Sequence, residues 1–412
     1  MTDYGKFNQN TVFIAIDIAK KNHDVLIKWP SGKQKAMKIS NTLDDYSRLL
    51  VAVGSGYSII AGFEPTADYH RNIAYWLSQQ GVECWLVSSL ASARARDMMF
   101  NSWDKNDRKD ANVIMYLLCH GLGKPFYDPL VNDTMDIQEL SNTYYQISLA
   151  RSKCYHSLLN HYLTLYFPEM EKYNHNSRSQ WFCELLLKYP TPGSICQLPK
   201  AVFVKNVWEI IGRKVNKQQF IEGLYETAEK SIGLPVALDS VAVTTFKLQV
   251  KRFLELTIQR DELEKQANSF LSHRDDYHRL RSIPGIGPII ALIILAESGD
   301  LKRFKHHRQY INYCGFSLST IQSGQTKGST RLSKRGSARL RYAFWLAGNA
   351  AIKMRENSFR DKYARYIKSN PENSDLKRKA RTAVAVKVAR VAHALVKNNC
   401  DYRGYHEYEC GT

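Results

Sequence analysis

Thr11 to Lys20 reads TVFIAIDIAK, five consecutive apolar residues from Val12 to Ile16 that end on Asp17. A β-branched run of this length predicts a buried strand, with a carboxylate set at its end. Leaving that charge unpartnered beside so apolar a strand costs several kcal/mol, so solvent, a positive group or a metal must reach Asp17. Three later acidic residues, Glu64, Asp107 and Asp110, are candidates to join it.

The segments that follow alternate in period. Asp24–Trp29 and Lys35–Ile39 read as short strands around the turn Pro30-Ser31-Gly32, and Leu43–Val53 reads as a helix. Tyr57–Phe63 is a second buried-type strand running into Glu64; Ala67–Gln80 is helical, Val82–Val87 a strand and Asp110–His120 a helix. Three antiparallel strands followed by alternating helix and strand predict an α/β domain of the ribonuclease-H type over residues 1–130. Beyond it, Ile137, Leu140, Tyr144, Ile147, Cys154 and Leu158 recur at helical spacing, as do Phe246, Val250, Phe253, Leu256, Leu263 and Phe270. These two segments fit a paired helical arm or coiled coil over 131–278, or ordinary bundle helices. Residues 174–235 read as an insertion between them, without assignable chemistry. Residues 279–400 read as a mainly helical domain and 401–412 as a tail.

Charge separates the last region from the rest. From Arg281 onward there are 25 lysines and arginines against nine acids, a net +16, whereas the preceding 280 residues hold 33 against 30. Such an asymmetry suits a surface for a phosphate backbone, with salt-sensitive affinity. The eight cysteines show no C-x-x-C spacing, which predicts reduced thiols and argues against a structural zinc site. No apolar run of eighteen residues and no charged-then-apolar leader occurs, so a soluble, cytoplasmic protein is expected.

Four carboxylates, Asp17, Glu64, Asp107 and Asp110, converging on one point suit a hard divalent cation such as magnesium. Two such ions would activate an attacking oxygen and stabilise a leaving one in phosphoryl transfer. Taken singly these residues have plainer readings: a turn residue for Asp17, a surface residue for Glu64 and a helix cap for Asp107. Asp68, Asp97 and Asp104 are alternatives to them. In the basic region, Ile283-Pro284-Gly285-Ile286-Gly287-Pro288 resembles a helix-hairpin-helix loop, in which Gly285 and Gly287 would let backbone N–H groups approach a phosphate. Tyr313-Cys314-Gly315-Phe316, Gln322-Ser323-Gly324 and Arg331-Leu332-Ser333-Lys334-Arg335-Gly336 embed small residues among cations. Gly324, Arg331, Lys334 and Arg335 are therefore candidate nucleic-acid contacts. Helices are predicted over Ala338–Met354 and Leu376–Lys397, the latter offering Lys377, Arg378, Lys379, Arg381, Lys387 and Arg390 to nucleic acid. On chemistry alone a serine in this region is a phosphate-contacting hydroxyl, because no general base is recognisable nearby.

AIDIAK, GFEPTADYH and DRKDA, in that order, resemble the motifs of the DEDD insertion-sequence transposases, related to Piv-type DNA invertases, whose N-terminal domain is RuvC-like. IPGIGPIIA, SGDLKRFK, YCGF, QSG and LSKRG are similar, again in order, to the C-terminal transposase domain of that group. The resemblance carries the metal carboxylates onto Asp17, Glu64, Asp107 and Asp110, with Asp107-Arg-Lys-Asp110-Ala111 matching D-x-x-D-A. It implies magnesium, two ions per site, and carries a serine nucleophile onto Ser323, with Ser333 as the other candidate. Phe316-Ser317-Leu318-Ser319 departs from the Leu-x-Pro-Ser type turn usual there. The resemblance further implies DNA strand cleavage and exchange through a phosphoserine link, a structured guide RNA, a homo-oligomer (dimer or tetramer) and a bacterial cytoplasmic setting. Two other classes compete: a nuclease that activates water with the same carboxylates, and a binding module whose carboxylates are structural.

Overall fold

The computed structural model describes residues 10–100, 107–126, 135–176, 180–212, 215–323, 326–355 and 357–404. The chain divides into two compact units, Met1–Asn132 and Asp133–Thr412.

In the first unit the apolar run forms β1 (Thr11–Asp17), followed by β2 (Asn22–Lys28), β3 (Gln34–Ser40), β4 (Ser58–Phe63), β5 (Glu83–Leu86) and the short β6 (Lys124–Pro125). The sheet order is β3-β2-β1-β4-β5-β6. The first three strands form an antiparallel meander, β4 and β5 run parallel to β1, and β6 pairs antiparallel with β5. This strand order is the ribonuclease-H arrangement that the period pattern predicts. The β2–β3 hairpin closes where Gly32 adopts φ +83° and its N–H bonds Trp29 O at 3.0 Å.

Four helices cover the sheet: α1 (Leu43–Val53), α2 (His70–Gln79), α3 (Ser89–Phe100) and α4 (Asp107–Cys119). Thr42 caps α1 by accepting from Asp45 N, and Gly54 ends it at φ +89°. The second helix begins three residues later than its periodicity predicts, because Ala67 takes φ +44° and lies outside helical geometry. Helix α3 is absent from the sequence reading; SLASARARDMMF carries no apolar stripe, and only Ser92 and Ala95 are buried. One sheet face packs Val12, Ile14, Ile16, Val25 and Ile27 against Tyr46 and Leu49 of α1 and Ile73 and Leu77 of α2. The other packs Ala15 and Leu26 against Ala95 of α3 and Ala111, Ile114, Leu117 and Leu118 of α4. The result is three layers. Gly62 on β4 lets α4 sit close: a Cβ there would lie 2.3 Å from Leu118 Cδ2.

In the second unit, α5 (Met135–Ser157) continues through a π-helical turn, Leu158–Leu163. The intervening segment forms α6 (Gln180–Lys188), α7 (Pro192–Cys196), α8 (Lys200–Val207) and α9 (Lys217–Glu229), and leads to α10 (Val241–Leu271). Arg151 Nε donates to Thr257 Oγ1 at 2.8 Å, Cys154 Sγ bonds Gln249 O at 3.3 Å, and Tyr162 stacks on Phe246 at 5.4 Å. Partners fall in number along α10 as they rise along α5, so the two long helices are an antiparallel pair. The segment read as an insertion has a core of its own. Phe182, Leu186, Phe203, Val207, Ile221 and Leu224 close on Phe246, Val250 and Phe253 of α10.

The basic region continues with α11 (Asp275–Arg281), α12 (Pro288–Ser298), α13 (His307–Tyr313), the hairpin β7 (Leu318–Ser323) and β8 (Thr326–Leu332), then α14 (Ala338–Lys353), α15 (Ser358–Ile367) and α16 (Ser374–Asn398). Ile283, Leu292, Leu295, Tyr310, Phe344, Phe359, Val384 and Val388 share one core. Among the described residues the cysteines are free thiols, and no helix is long and apolar enough to cross a membrane.

The Gly62–Leu118 contact yields a stability prediction. Gly62→Ala overpacks the α4 seam and lowers the unfolding free energy by about 1–3 kcal/mol. The double change Gly62→Ala/Leu118→Ala recovers part of the loss, measured as a positive coupling in a denaturant double-mutant cycle. Strict additivity would show that the contact does not set the spacing.

Candidate active site

Asp17 is the last residue of β1 and lies opposite Asp24 in the antiparallel register. Directly paired residues of such a ladder project to the same face with Cβ atoms about 5 Å apart, so these two carboxylates are neighbours. Ile14 and Ile16 belong to the core under α1 and α2, so alternation turns Asp17 to the face covered by α3 and α4. Glu64 follows the parallel pair Ile16↔Phe63 by one residue, which sets it beside Asp17 at the same sheet end.

Helix α4 supplies the next carboxylate. Lys28 Nζ lies 3.8 Å from Cys119 Sγ at the end of α4, and Lys28 pairs with Phe13 near the start of β1. Going back from Cys119 to Asp110 covers about 13.5 Å of helix, while going from Phe13 to Asp17 covers about 13 Å of strand. The helix runs antiparallel to β1 and carries Asp110 to the level of Asp17. Asp110 is 6% exposed. Arg96 of α3 donates to its Oδ1 from Nε at 2.8 Å, and Nη2 lies 2.5 Å from the same oxygen. Asp24 holds a longer contact, 3.9 Å, to Lys38.

Asp107 opens α4 one turn before Asp110; its side chain lies outside the described residues. Among the described residues no three aspartates, glutamates, histidines or cysteines are gathered as a metal-holding group. The donors brought to this sheet end are carboxylate oxygens throughout, the chemistry that suits magnesium. Sequence reasoning missed two residues here. Asp24 has a legible signal, since it lies seven residues beyond Asp17 across a two-strand turn. Arg96 has none, because only the packing of α3 on α4 aims it at Asp110.

Ser323 is the last residue of β7 and faces Thr326 across the hairpin; its side chain, and all of Gly324, lie outside the described residues. Ser333 sits at the opposite end, where its N–H bonds Ser317 O at 2.8 Å and its Oγ accepts from Arg335 N at 3.4 Å. The five residue steps from Leu318 to Ser323 separate the two serines by about 17 Å. A register shift between Thr320 and Gln322 adds twist near the tip. Leu318 and Ser319, in the stretch that departs from the usual turn, simply begin β7.

Gly285 and Gly336 serve the protein's own packing. A Cβ on Gly336, at φ +137°, would lie 2.4 Å from Tyr313 O and 2.6 Å from Gly315 N. Gly285, at φ +89°, would meet Ala347 O of α14 at 2.3 Å, so the backbone that approaches it closely is a helix of the same unit. Gly287 is uncrowded and stands at the N-cap of α12. Arg331, Lys334 and Arg335 are exposed around the base of the hairpin. Lys377 pairs with Glu372 at 3.8 Å, and Arg378 and Lys379 both pair with Asp375, at 2.6 and 2.8 Å.

Comparison with known proteins follows the same division. Residues 14–168 match the DEDD transposase family of IS110 type, and residues 277–364 match the family described as Transposase IS116/IS110/IS902. The transposase for insertion sequence element IS1111A of Coxiella burnetii is 30% identical over 178 residues, 41% of this chain and 48% of that protein. The chain thus spans about half the length of that relative. The mini-circle transposase for IS117 of Streptomyces coelicolor is 26% identical over 333 residues, 76% of this chain and 78% of the relative. Among solved structures, T. thermophilus RuvC in complex with Holliday junction substrate is 10% identical, covering 28% of this chain and 99% of that one at a TM-score of 0.21.

The Arg96–Asp110 pair leads to a measurable expectation. Arg96→Met strands a buried carboxylate and lowers stability by about 3 kcal/mol in chelator. If a divalent cation reaches Asp110, saturating magnesium offsets much of that loss. An equal loss with and without magnesium, followed by denaturant unfolding, would show that no cation reaches it.

Proposed function

The chain belongs to the IS110-type DEDD transposase family, and from that premise we propose that it cleaves and exchanges the DNA strands of an insertion sequence. The observation that carries this reading is the sheet end where Asp17, Asp24 and Glu64 stand side by side, with α4 bringing Asp110 to the same level.

Asp17, Glu64, Asp107 and Asp110 are the residues that would hold magnesium. Asp24 stands close enough to orient the Asp17 carboxylate or share a cation with it. When bound, the divalent ions supply Lewis-acid polarisation of a phosphate and neutralise charge as it develops. Arg96 has two parts in this reading. It balances Asp110 before the cation arrives, and, once displaced, its planar fork suits a phosphate oxygen.

Ser323 is the proposed nucleophile. Its Oγ forms a bond to phosphorus as the bond to the departing sugar oxygen breaks, so one phosphate ester is exchanged for another and its energy is kept for rejoining. Its position at a hairpin tip supports this role, since a tip can enter a substrate groove while the glycine seam holds the base. Ser333, at that base, is engaged in the turn. Partners in this reading are element-end and target DNA, a structured guide RNA and further copies of the chain. The serine and the carboxylates belong to different units, so a site completed by two protomers is part of the proposal.

The test is adduct trapping. Purified protein is incubated with magnesium, labelled element-junction DNA and co-purifying RNA, then denatured. Asp17→Ala and Ser323→Ala each abolish recombination, with nucleic-acid binding retained within about threefold, and the protein–DNA adduct disappears in Ser323→Ala but survives in Ser333→Ala. Magnesium-dependent cutting with no adduct would replace the serine mechanism by water activation.

A further inference from the structure

His23 of β2 is fully buried, yet its Nε2 has no hydrogen-bond partner among the described residues. Alternate residues of a strand share a face, so His23 projects with Val25 and Ile27, which pack against Tyr46 and Leu49 of α1. An apolar side chain would fill that place without polar cost, whereas burying an unsatisfied ring N–H opposes folding. Asn41, diagonal to His23 just past β3, is already engaged: its Oδ1 accepts from the Tyr46 hydroxyl. Packing alone therefore does not account for a histidine here.

The other ring nitrogen is used. Nδ1 accepts from Ala19 N at 3.3 Å. An accepting Nδ1 carries no proton, which puts the hydrogen of the neutral ring on the unsatisfied Nε2. Ala19 belongs to the connection of residues 18–21 between β1 and β2. The β1–β2 ladder ends at the pair Asp17↔Asp24, so beyond that pair the two strands are joined by this connection. Ile18 is buried, and Ala19, Lys20 and Lys21 are exposed. At the far end of the connection Asn41 N donates to Lys21 O at 2.9 Å. At the near end the imidazole takes the backbone N–H two residues past Asp17. It does so from the α1 side of the sheet, while Asp17 and Asp24 project to the side of α3 and α4.

A small divalent cation tolerates little displacement of its oxygen ligands, and groups that hold those ligands in place govern its affinity. We propose that His23 is a positioning residue: through its bond to Ala19 N it fixes the β1–β2 connection and thereby sets the Asp17 carboxylate for a divalent cation. This rests on the reading of Asp17 as a metal ligand and adds a residue that never touches the metal. The orphaned Nε2–H is then the cost of placing an acceptor at Nδ1.

The test compares two substitutions in the full chain. His23→Leu fills the space and accepts nothing; His23→Asn returns an acceptor oxygen close to the place of Nδ1. Exchange of the exposed Ala19 amide is followed by mass spectrometry on peptides spanning residues 18–22, and stability by denaturant unfolding in chelator. The magnesium concentration for half-maximal effect is read both as stabilisation against heat and as cutting of labelled element-junction DNA. His23→Leu is expected to speed Ala19 exchange and to raise the magnesium requirement about tenfold, with no loss of stability in chelator. His23→Asn should keep the requirement within about threefold of the unaltered chain. An unchanged requirement in His23→Leu, or an equal rise in both variants, overturns the proposal. So does a His23→Leu chain destabilised in chelator, which marks a purely structural role. Asp17→Ala separates the two readings: if it leaves the magnesium response intact, the carboxylate reading fails and the role of His23 falls with it. If Asp17→Ala abolishes that response while His23→Leu does not shift it, the role of His23 alone fails.

Discussion

The close contact between Gly62 and Leu118 is the constraint on which the candidate site depends. Helices pack on a sheet at a distance set by the side chains between them, and here one strand contributes none. Helix α4 therefore settles close to the sheet, and its run antiparallel to β1 brings Asp110 level with Asp17. Arg96 then reaches Asp110 because α3 lies against α4 in the same layer. The guanidinium satisfies the buried Asp110 carboxylate. Buried pairs of this kind contribute little net stability, and losing one member costs far more than making the pair gains.

The second unit is organised around a comparable point. Arg339 of α14 bonds Asn142 Oδ1 at 2.6 Å, Ser141 O at 2.9 Å and Ser141 Oγ at 2.8 Å on α5, and pairs with Glu297 of α12 at 3.1 Å. Ser337 donates to the other Glu297 oxygen at 2.7 Å, and Tyr313 donates to the Glu297 carbonyl at 2.8 Å. Partly buried groups so fully bonded hold their helices in one arrangement, since any slip leaves donors unsatisfied. The network joins the start of the long antiparallel pair to the base of the hairpin that carries Ser323. With the Gly315–Gly336 seam, it braces the foot of the β7–β8 hairpin.

Several features were legible from residues alone. The run Val12–Ile16 specifies a buried strand because such a segment has no other stable place, and the Pro30-Ser31-Gly32 turn forces the meander. Period and order together identify the sheet. The long amphipathic stretches declare themselves as helices, and the Asp17–Glu64 neighbourhood follows once β1 and β4 are known to be parallel. The glycines were harder to read. At Gly285 and Gly336 the missing side chain admits another part of the chain, and a glycine motif looks the same whichever backbone comes close to it. Helix α3 and Arg96 stayed hidden because a segment with small buried residues carries no periodic signal.

Local sequence thus determined most of the first unit's elements, the ribonuclease-H strand order, the family motifs and the asymmetry of charge, all of which depend on periodicity, chemistry and spacing within a few turns. Tertiary structure decided which charges cancel. Asp110 receives Arg96 from another helix, and Lys377, Arg378 and Lys379 share the two acids Glu372 and Asp375. Electrostatic energy depends on distance and exposure in three dimensions, so a count of charges along a chain establishes a potential for binding without locating it.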